Sequence, residues 1–170
     1  ALAYRDSLTG IKNSTAYTEA IANLSQEINC GNPQSGVLVA DINNLKQTND
    51  RFGHDIGDEL IVHTAKILTD IFKTSSVFRI GGDEFEVFLQ NIPSGEMVHN
   101  HRNLMAETFR TMTQETAPEL TLSCSVGASL FPENGRDYAT LFHCADEALY
   151  HAKSCSKDTY AIYDNAMESI

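Results

Sequence analysis

The sequence predicts an α/β sandwich, and three observations predict it. Apolar runs of strand length ("VLVADI", 37–42, and "FEVFL", 85–89) alternate with stretches of helical period. A turn marked by Gly81-Gly82 joins two of the strands, which excludes a purely parallel doubly wound sheet. The chain has 170 residues, 42% of them hydrophobic, which suits one domain around a single core.

The elements follow in order. Asn13 can cap a helix from Ser14 to about Cys30, with Ala16, Ile21, Leu24 and Ile28 near helical period. "CGNPQSG" breaks it. "VLVADI" is a buried strand ending at Asp41. Asn43 to Asp50 reads as a short helix or turn. "FGHDIGDE" carries two glycines, and Leu60, Ile61, Ala65, Leu68, Ile71 and Phe72 mark the next helix. Val77–Ile80 and Phe85–Leu89 form the hairpin around the glycine pair. Ser94 can cap a helix from about Gly95 to Thr116, and Pro118 stops it. "LTLSCSVGASLF" is a strand with a bend expected at Gly127. Asp137 to Ser154 is a helix, and "TYAIY" closes as a strand. This order fits a βαββαβ core of the ferredoxin-like kind, with no internal repeat and no second domain.

Charge narrows the partners. The net charge of -11 repels nucleic acid polymers and anionic membrane surfaces, and no Lys/Arg block offsets it. A small phosphorylated ligand stays compatible, because a metal ion and a few lysines invert the local potential. No apolar run spans a bilayer and no signal-peptide pattern opens the chain. Cys30, Cys124, Cys144 and Cys155 show no paired spacing, so neither a zinc site nor a disulfide framework is read, and free thiols point to the cytosol. The abrupt start on helix-forming residues reads as a piece of a longer protein, with residues 1–5 ending an upstream helix or linker and 166–170 a tail.

The chemistry concentrates at "RIGGDEFEVFL", 79–89. Turn chemistry accounts for the glycines and for Asp83, but not for Glu84 beside it. Two adjacent acids at a strand tip fit a divalent cation that offsets their repulsion. Asp41 ends an apolar strand, where an acid is often only a polar terminus. If that strand neighbours the hairpin, Asp41, Asp83 and Glu84 converge into a hard-oxygen site suited to Mg²⁺ or Mn²⁺. A calcium loop at "DINNLKQTNDRFG" is rejected, since Leu45, Lys46 and Phe52 stand where such a loop needs a ligand, glycine and glutamate. No P-loop occurs. The turn after Asp41 can cradle phosphate with backbone N–H groups within reach of Lys46, although Lys46, Lys153 and Lys157, each taken alone, read first as solvated residues. The "HNH" at 99–101 and the pair His54/Asp58 read as surface, capping or turn residues.

Five stretches in order, "DSLTGIKN" (6–13), "DINNLKQTNDRFGHDIGDEL" (41–60), "RIGGDEF" (79–85), "LSCSVGAS" (122–129) and "ADEALYHAKSCSK" (145–157), resemble the GGDEF domain of bacterial diguanylate cyclases. The resemblance covers nearly the whole chain and places that domain at 6–165. It implies a central, mostly antiparallel five-stranded sheet like those of nucleotidyl cyclases and polymerase palm domains. It implies condensation of two GTP into cyclic di-GMP with release of two pyrophosphates, across a homodimer, with two Mg²⁺ or Mn²⁺ ions per active site. Asp41 and Glu84 resemble metal ligands, joined by the Ile42 carbonyl. Asp83 resembles a metal-holding acid and candidate base for the ribose hydroxyl, and Lys46 the lysine that stabilises the phosphoryl transition state. Asn44 and Leu45 correspond to the phosphate-binding turn, Asn49 and Asp58 to the guanine readers, and Lys153 and Lys157 to distal triphosphate contacts. A carboxylate that accepts from guanine N1–H and N2–H rejects adenine, which lacks those donors.

The departures are Ser14 for the family's usual Arg, Ser156 for Gly, Asp158 for Asn, and Lys157 for an Arg, which loses a bidentate grip on phosphate. Phe72 and Ser75 occupy the Arg and Asp positions of the family's product-inhibition site, so no feedback through it is expected. The expected localisation is cytoplasmic, free or as the cytoplasmic part of a membrane-anchored protein, under an upstream sensory or regulatory region. Against an active cyclase stand two alternatives: a silent GTP-binding regulatory module, and an interaction domain with vestigial pockets.

Overall fold

A computed structural model of the chain describes residues 2–29, 35–72, 76–90, 124–155 and 160–163. Helix α1 spans Ser14–Asn29, strand β1 Gly36–Ile42, helix α2 Leu45–Phe52 and helix α3 His54–Ile71. Strands β2 (Ser76–Arg79), β3 (Glu84–Leu89) and β4 (Cys124–Leu130) follow, then helix α4 (Tyr138–Cys155) and strand β5 (Tyr160–Ile162). The sheet order is β2-β3-β1-β4-β5. The pairs β2–β3, β3–β1 and β1–β4 are antiparallel, and β5 runs parallel to β4. This is the expected α/β sandwich, with β1 at its centre.

The sheet is covered on both faces, which is why β1 reads as an unbroken apolar run. Leu38, Ala40 and Ile42 of β1 join Phe85, Val87 and Leu89 of β3 against Leu60, Ala65 and Leu68 of α3. Val37 and Val39 turn to the other face and pack with Phe78, Phe88, Leu24 of α1 and Leu141, Ala145 and Leu149 of α4. Each Val, Leu, Ile or Phe among them removed from water contributes about 1.5–3 kcal/mol. The period of two then fixes the direction of the polar residues. Asp41 follows Val39, and Glu84 and Glu86 precede Phe88, so all three carboxylates project to the α1/α4 face.

Asn13 caps α1 as expected, its Oδ1 accepting from the Ala16 amide at 3.0 Å. Other boundaries differ. Helix α3 begins at His54, six residues before the apolar repeat, because Gly57 does not break it: among the described glycines only Gly10 and Gly53 have positive φ. Gly53, at φ 92, makes the break between α2 and α3. Strands β2 and β3 are joined by Ile80–Asp83 rather than by Gly81–Glu84, with the Ile80 amide donating to the Glu84 carbonyl at 2.9 Å.

Gly127 does not bend β4. The strand pairs in register through it, with Val39 on one side and Ala161 on the other. A side chain there would fall 2.2 Å from the Leu149 amide and 2.3 Å from the Ala145 carbonyl. The glycine lets α4 lie directly on the strand. The helix expected at 95–116, Cys30, His99 and His101 lie outside the described residues.

Candidate functional site

The β1–β3 register builds the site. Asp41 pairs opposite Glu84, and the Ile42 amide donates to the Asp83 carbonyl at 3.0 Å. The carboxylates of Asp41, Asp83 and Glu84 each offer an oxygen within 4.8 Å of the others. The expected convergence is therefore present, and two of the three acids stand on paired strands.

The charged forms of Asp41 and Glu84 are disfavoured at this site. Burial raises the Asp41 pKa; Lys153 opposes this, and Asp83 and Asp146 add to it. Burial also raises Glu84, followed by the fields of Asp41 and Asp83. Lys153 reaches from α4 to pair with Asp41, so it lies nearer the acids than a distal phosphate contact suggests. Both α4 and the acids wall a cleft of about 430 Å³, lined by Asp41, Glu84, Lys153, Asp146, Tyr17 and Glu86 among others.

The hairpin that carries Asp83 is clamped by Arg79. Its Nε donates to the Gly81 carbonyl at 3.2 Å and its Nη2 to the Gly82 carbonyl at 3.1 Å. Its Nη1 donates to both carboxylate oxygens of Asp6 at 3.1 Å. Asp6 also accepts from the Thr9 amide at 2.8 Å and the Thr9 hydroxyl at 2.7 Å. Burial pushes the Asp6 pKa up, but the bonds from Thr9 and Arg79 outweigh it and hold the carboxyl below its usual range. Sequence reasoning gave Asp6 and Arg79 no role. The signal was there in an Asp three residues before a Thr, and an Arg two residues before the glycines.

Glu86 was likewise missed. It is 1% exposed on β3 and accepts from the Tyr138 hydroxyl at 2.7 Å. The hydroxyls of Tyr138 and Tyr17 bond to each other. Burial pushes Glu86 up to about 7 against the hydrogen bonds from the two tyrosines, and pushes Tyr17 up to about 12. A single charge inside an apolar strand run was its signal in the sequence.

The β1–α2 connection turns at Asn44, which is left-handed at φ 61. The Asn44 carbonyl accepts from the Thr48 amide and hydroxyl, both at 2.9 Å, and the Asn43 side chain accepts from the Ser125 hydroxyl at 3.1 Å. Leu45 is buried and opens α2, and Lys46 is exposed beside it. Asn49 on α2 is half-buried, while Asp58 on α3 is exposed. The Asn49 Oδ1 is buried without a hydrogen-bond donor. Ser14 is exposed at the start of α1, and Phe72 is 4% exposed in the core. Lys157, Ser75, Ser156 and Asp158 lie outside the described residues. No helix among the described residues is long and apolar enough to cross a membrane.

The family model "Diguanylate cyclase, GGDEF domain" matches residues 3–159. Diguanylate cyclase TpbB of Pseudomonas aeruginosa is 32% identical over 153 residues, covering 89% of this chain and 35% of TpbB. Cyclic di-GMP phosphodiesterase PdeR of Escherichia coli is 31% identical over 173 residues, covering 98% of this chain and 25% of PdeR. The chain thus spans about a third or less of the length of these relatives. The solved GGDEF domain of TpbB superposes with a TM-score of 0.84 at 27% identity, covering 97% of each chain.

Proposed function

Because the chain belongs to the GGDEF domain family, we propose that it is a diguanylate cyclase domain, condensing two GTP into cyclic di-GMP across a homodimer. In each half-reaction the 3′-oxygen of one GTP forms a bond to the α-phosphorus of the other. The α–β phosphoanhydride bond breaks, and pyrophosphate leaves. The observation that carries the reading is the trio Asp41, Asp83 and Glu84, gathered within 4.8 Å by strand register.

The residues fit the groups this reaction needs. The trio offers only hard oxygen donors, which suits Mg²⁺ or Mn²⁺, two per site. Asp41, Glu84 and the Ile42 carbonyl would hold the metal, with Asp83 beside them. When bound, such ions supply Lewis-acid stabilisation of charge on the transferring phosphoryl group. The remaining work falls to the chain. Asp83 accepts the proton of the ribose hydroxyl, and Lys46 meets charge that grows on the phosphate. Backbone amides at Asn44 and Leu45 cradle the outer phosphates, with Lys153 and Lys157 as counter-charges. Asn49 and Asp58 read guanine.

Each protomer is half a site, so the rate depends on dimer concentration. The input comes from an upstream region of a longer protein, and the place of work is the cytoplasm, where GTP is found. A chain held dimeric by a fused coiled coil and incubated with GTP and Mg²⁺ yields cyclic di-GMP, identified by mass, and its Glu84→Ala variant yields none. A folded dimer that leaves GTP intact rejects the proposal.

A second reading is a silent GTP-binding module that regulates an attached domain. It is favoured by PdeR, named as a phosphodiesterase, which matches 98% of this chain. GTP binding by the enforced dimer without turnover would select it.

A further inference from the structure

Gly57 is a buried glycine near the start of α3, where its conformation does not call for glycine. It is not among the positive-φ residues, and a helix favours alanine over glycine. What a side chain would meet explains it. A Cβ at Gly57 would lie 1.7 Å from Asn49 Oδ1, 2.8 Å from Asn49 Cγ and 3.3 Å from Asn49 Nδ2. The three nearest atoms all belong to one side chain, and none to the backbone. The Asn49 carboxamide therefore points its oxygen into the place a Gly57 side chain would take. No hydrogen bond holds its buried oxygen there. The seat is steric.

From this we infer that Gly57 positions Asn49 for base recognition, a role that rests on the nucleotide reading above. The Gly53 break folds α3 back on α2, and the bare Gly57, one residue before Asp58, lets the Asn49 side chain of one helix lie against the other. An alanine at 57 occupies the place of the carboxamide and turns Asn49 away by rotation about its own side-chain bonds. The backbone need not move. The substitution thus separates recognition from stability: it removes a helical glycine while it displaces a reader of the base.

The test is Gly57→Ala in the full chain, titrated calorimetrically with a non-hydrolysable GTP analogue and its ATP counterpart, each with Mg²⁺. The expected result is a loss of about tenfold or more in affinity for the GTP analogue. The weak affinity for the ATP analogue stays unchanged, and the thermal midpoint is equal or higher. In an Asn49→Ala background, Gly57→Ala causes no further loss. Undiminished GTP affinity in Gly57→Ala overturns the inference. So does an equal loss in both backgrounds, or a thermal midpoint lowered by several degrees, which marks a scaffold role. A parent chain that binds no GTP overturns the nucleotide reading itself, and the inference with it. Binding by the parent with an unaffected Gly57→Ala variant overturns the inference alone.

Discussion

Removing Lys153 should tighten metal binding and weaken nucleotide binding at the same time. Lys153 pairs with Asp41 and is a positive charge against the oxygens that a divalent ion needs. Its side chain is 42% exposed and that of Asp41 14% exposed, so water screens the pair strongly. Unit charges about 4 Å apart interact by about 1 kcal/mol in water and about 4 kcal/mol at an effective dielectric near 20. The lower part of that range applies, giving about 1–2 kcal/mol, or about tenfold in affinity. Lys153→Met should therefore bind Mn²⁺ about tenfold more tightly in the absence of nucleotide. The same variant should bind a GTP analogue with Mg²⁺ less tightly, because the triphosphate loses a counter-charge. Lys153→Arg keeps the charge and should leave Mn²⁺ affinity nearly unchanged. Electron paramagnetic resonance of free Mn²⁺ gives the metal affinity of each variant at one fixed pH. Mn²⁺ affinity in Lys153→Met that is equal to or weaker than the parent's would refute the electrostatic reasoning.

Three further outcomes follow from the same structure. Glu86 takes up its proton more readily in the folded chain, its pKa raised from 4.5 to about 7, so its contribution to stability is full below 4.5 and is lost as pH rises through about 7. Glu86→Gln, which can still accept from Tyr138, should gain about 2 kcal/mol over the parent near pH 8 and nearly nothing near pH 4; urea titrations at both pH values measure it, and an equal effect at both removes the titration argument. Gly127→Ala sets a methyl group 2.2 Å from the Leu149 amide and should cost about 3 kcal/mol or more, read as a fall in the urea midpoint; a neutral result would mean α4 does not rest on β4 as described. Added cyclic di-GMP should not slow the initial rate at low micromolar levels through the site that Phe72 interrupts, since Phe72 is buried in the core and carries no charge; inhibition there contradicts this reading.

What the sequence made legible was whatever depends on strand period and neighbours along the chain. A polar residue closing an apolar run placed Asp41 at a strand end, and paired acids beside two glycines placed Asp83 and Glu84 at a turn. Their meeting depends on register across strands, which the run lengths and the hairpin constrain. Gly127 was misread as a bend, and Gly57 was given no role, for one reason. Glycine along a chain signals a break, but both of these are glycine because of what approaches them in space: the α4 backbone for one, the Asn49 carboxamide for the other. Glu86 and its two tyrosines are brought together from three distant segments, and no local pattern joins residues 17, 86 and 138. The Arg79 clamp has the same origin, since Asp6 and Arg79 meet only after the N-terminal segment bridges to β2 through Lys12.

The central claim, that the carboxylates at the end of β1 and in the β2–β3 hairpin form one cation site, is tested most directly by anomalous diffraction from crystals grown with Mn²⁺ and a non-hydrolysable GTP analogue. The account predicts an anomalous peak about 2.0–2.3 Å from carboxylate oxygens of both Asp41 and Glu84, with the Lys153 amine shifted from Asp41 to phosphate. Nucleotide bound with no anomalous density at that point, and Lys153 still on Asp41, would contradict it.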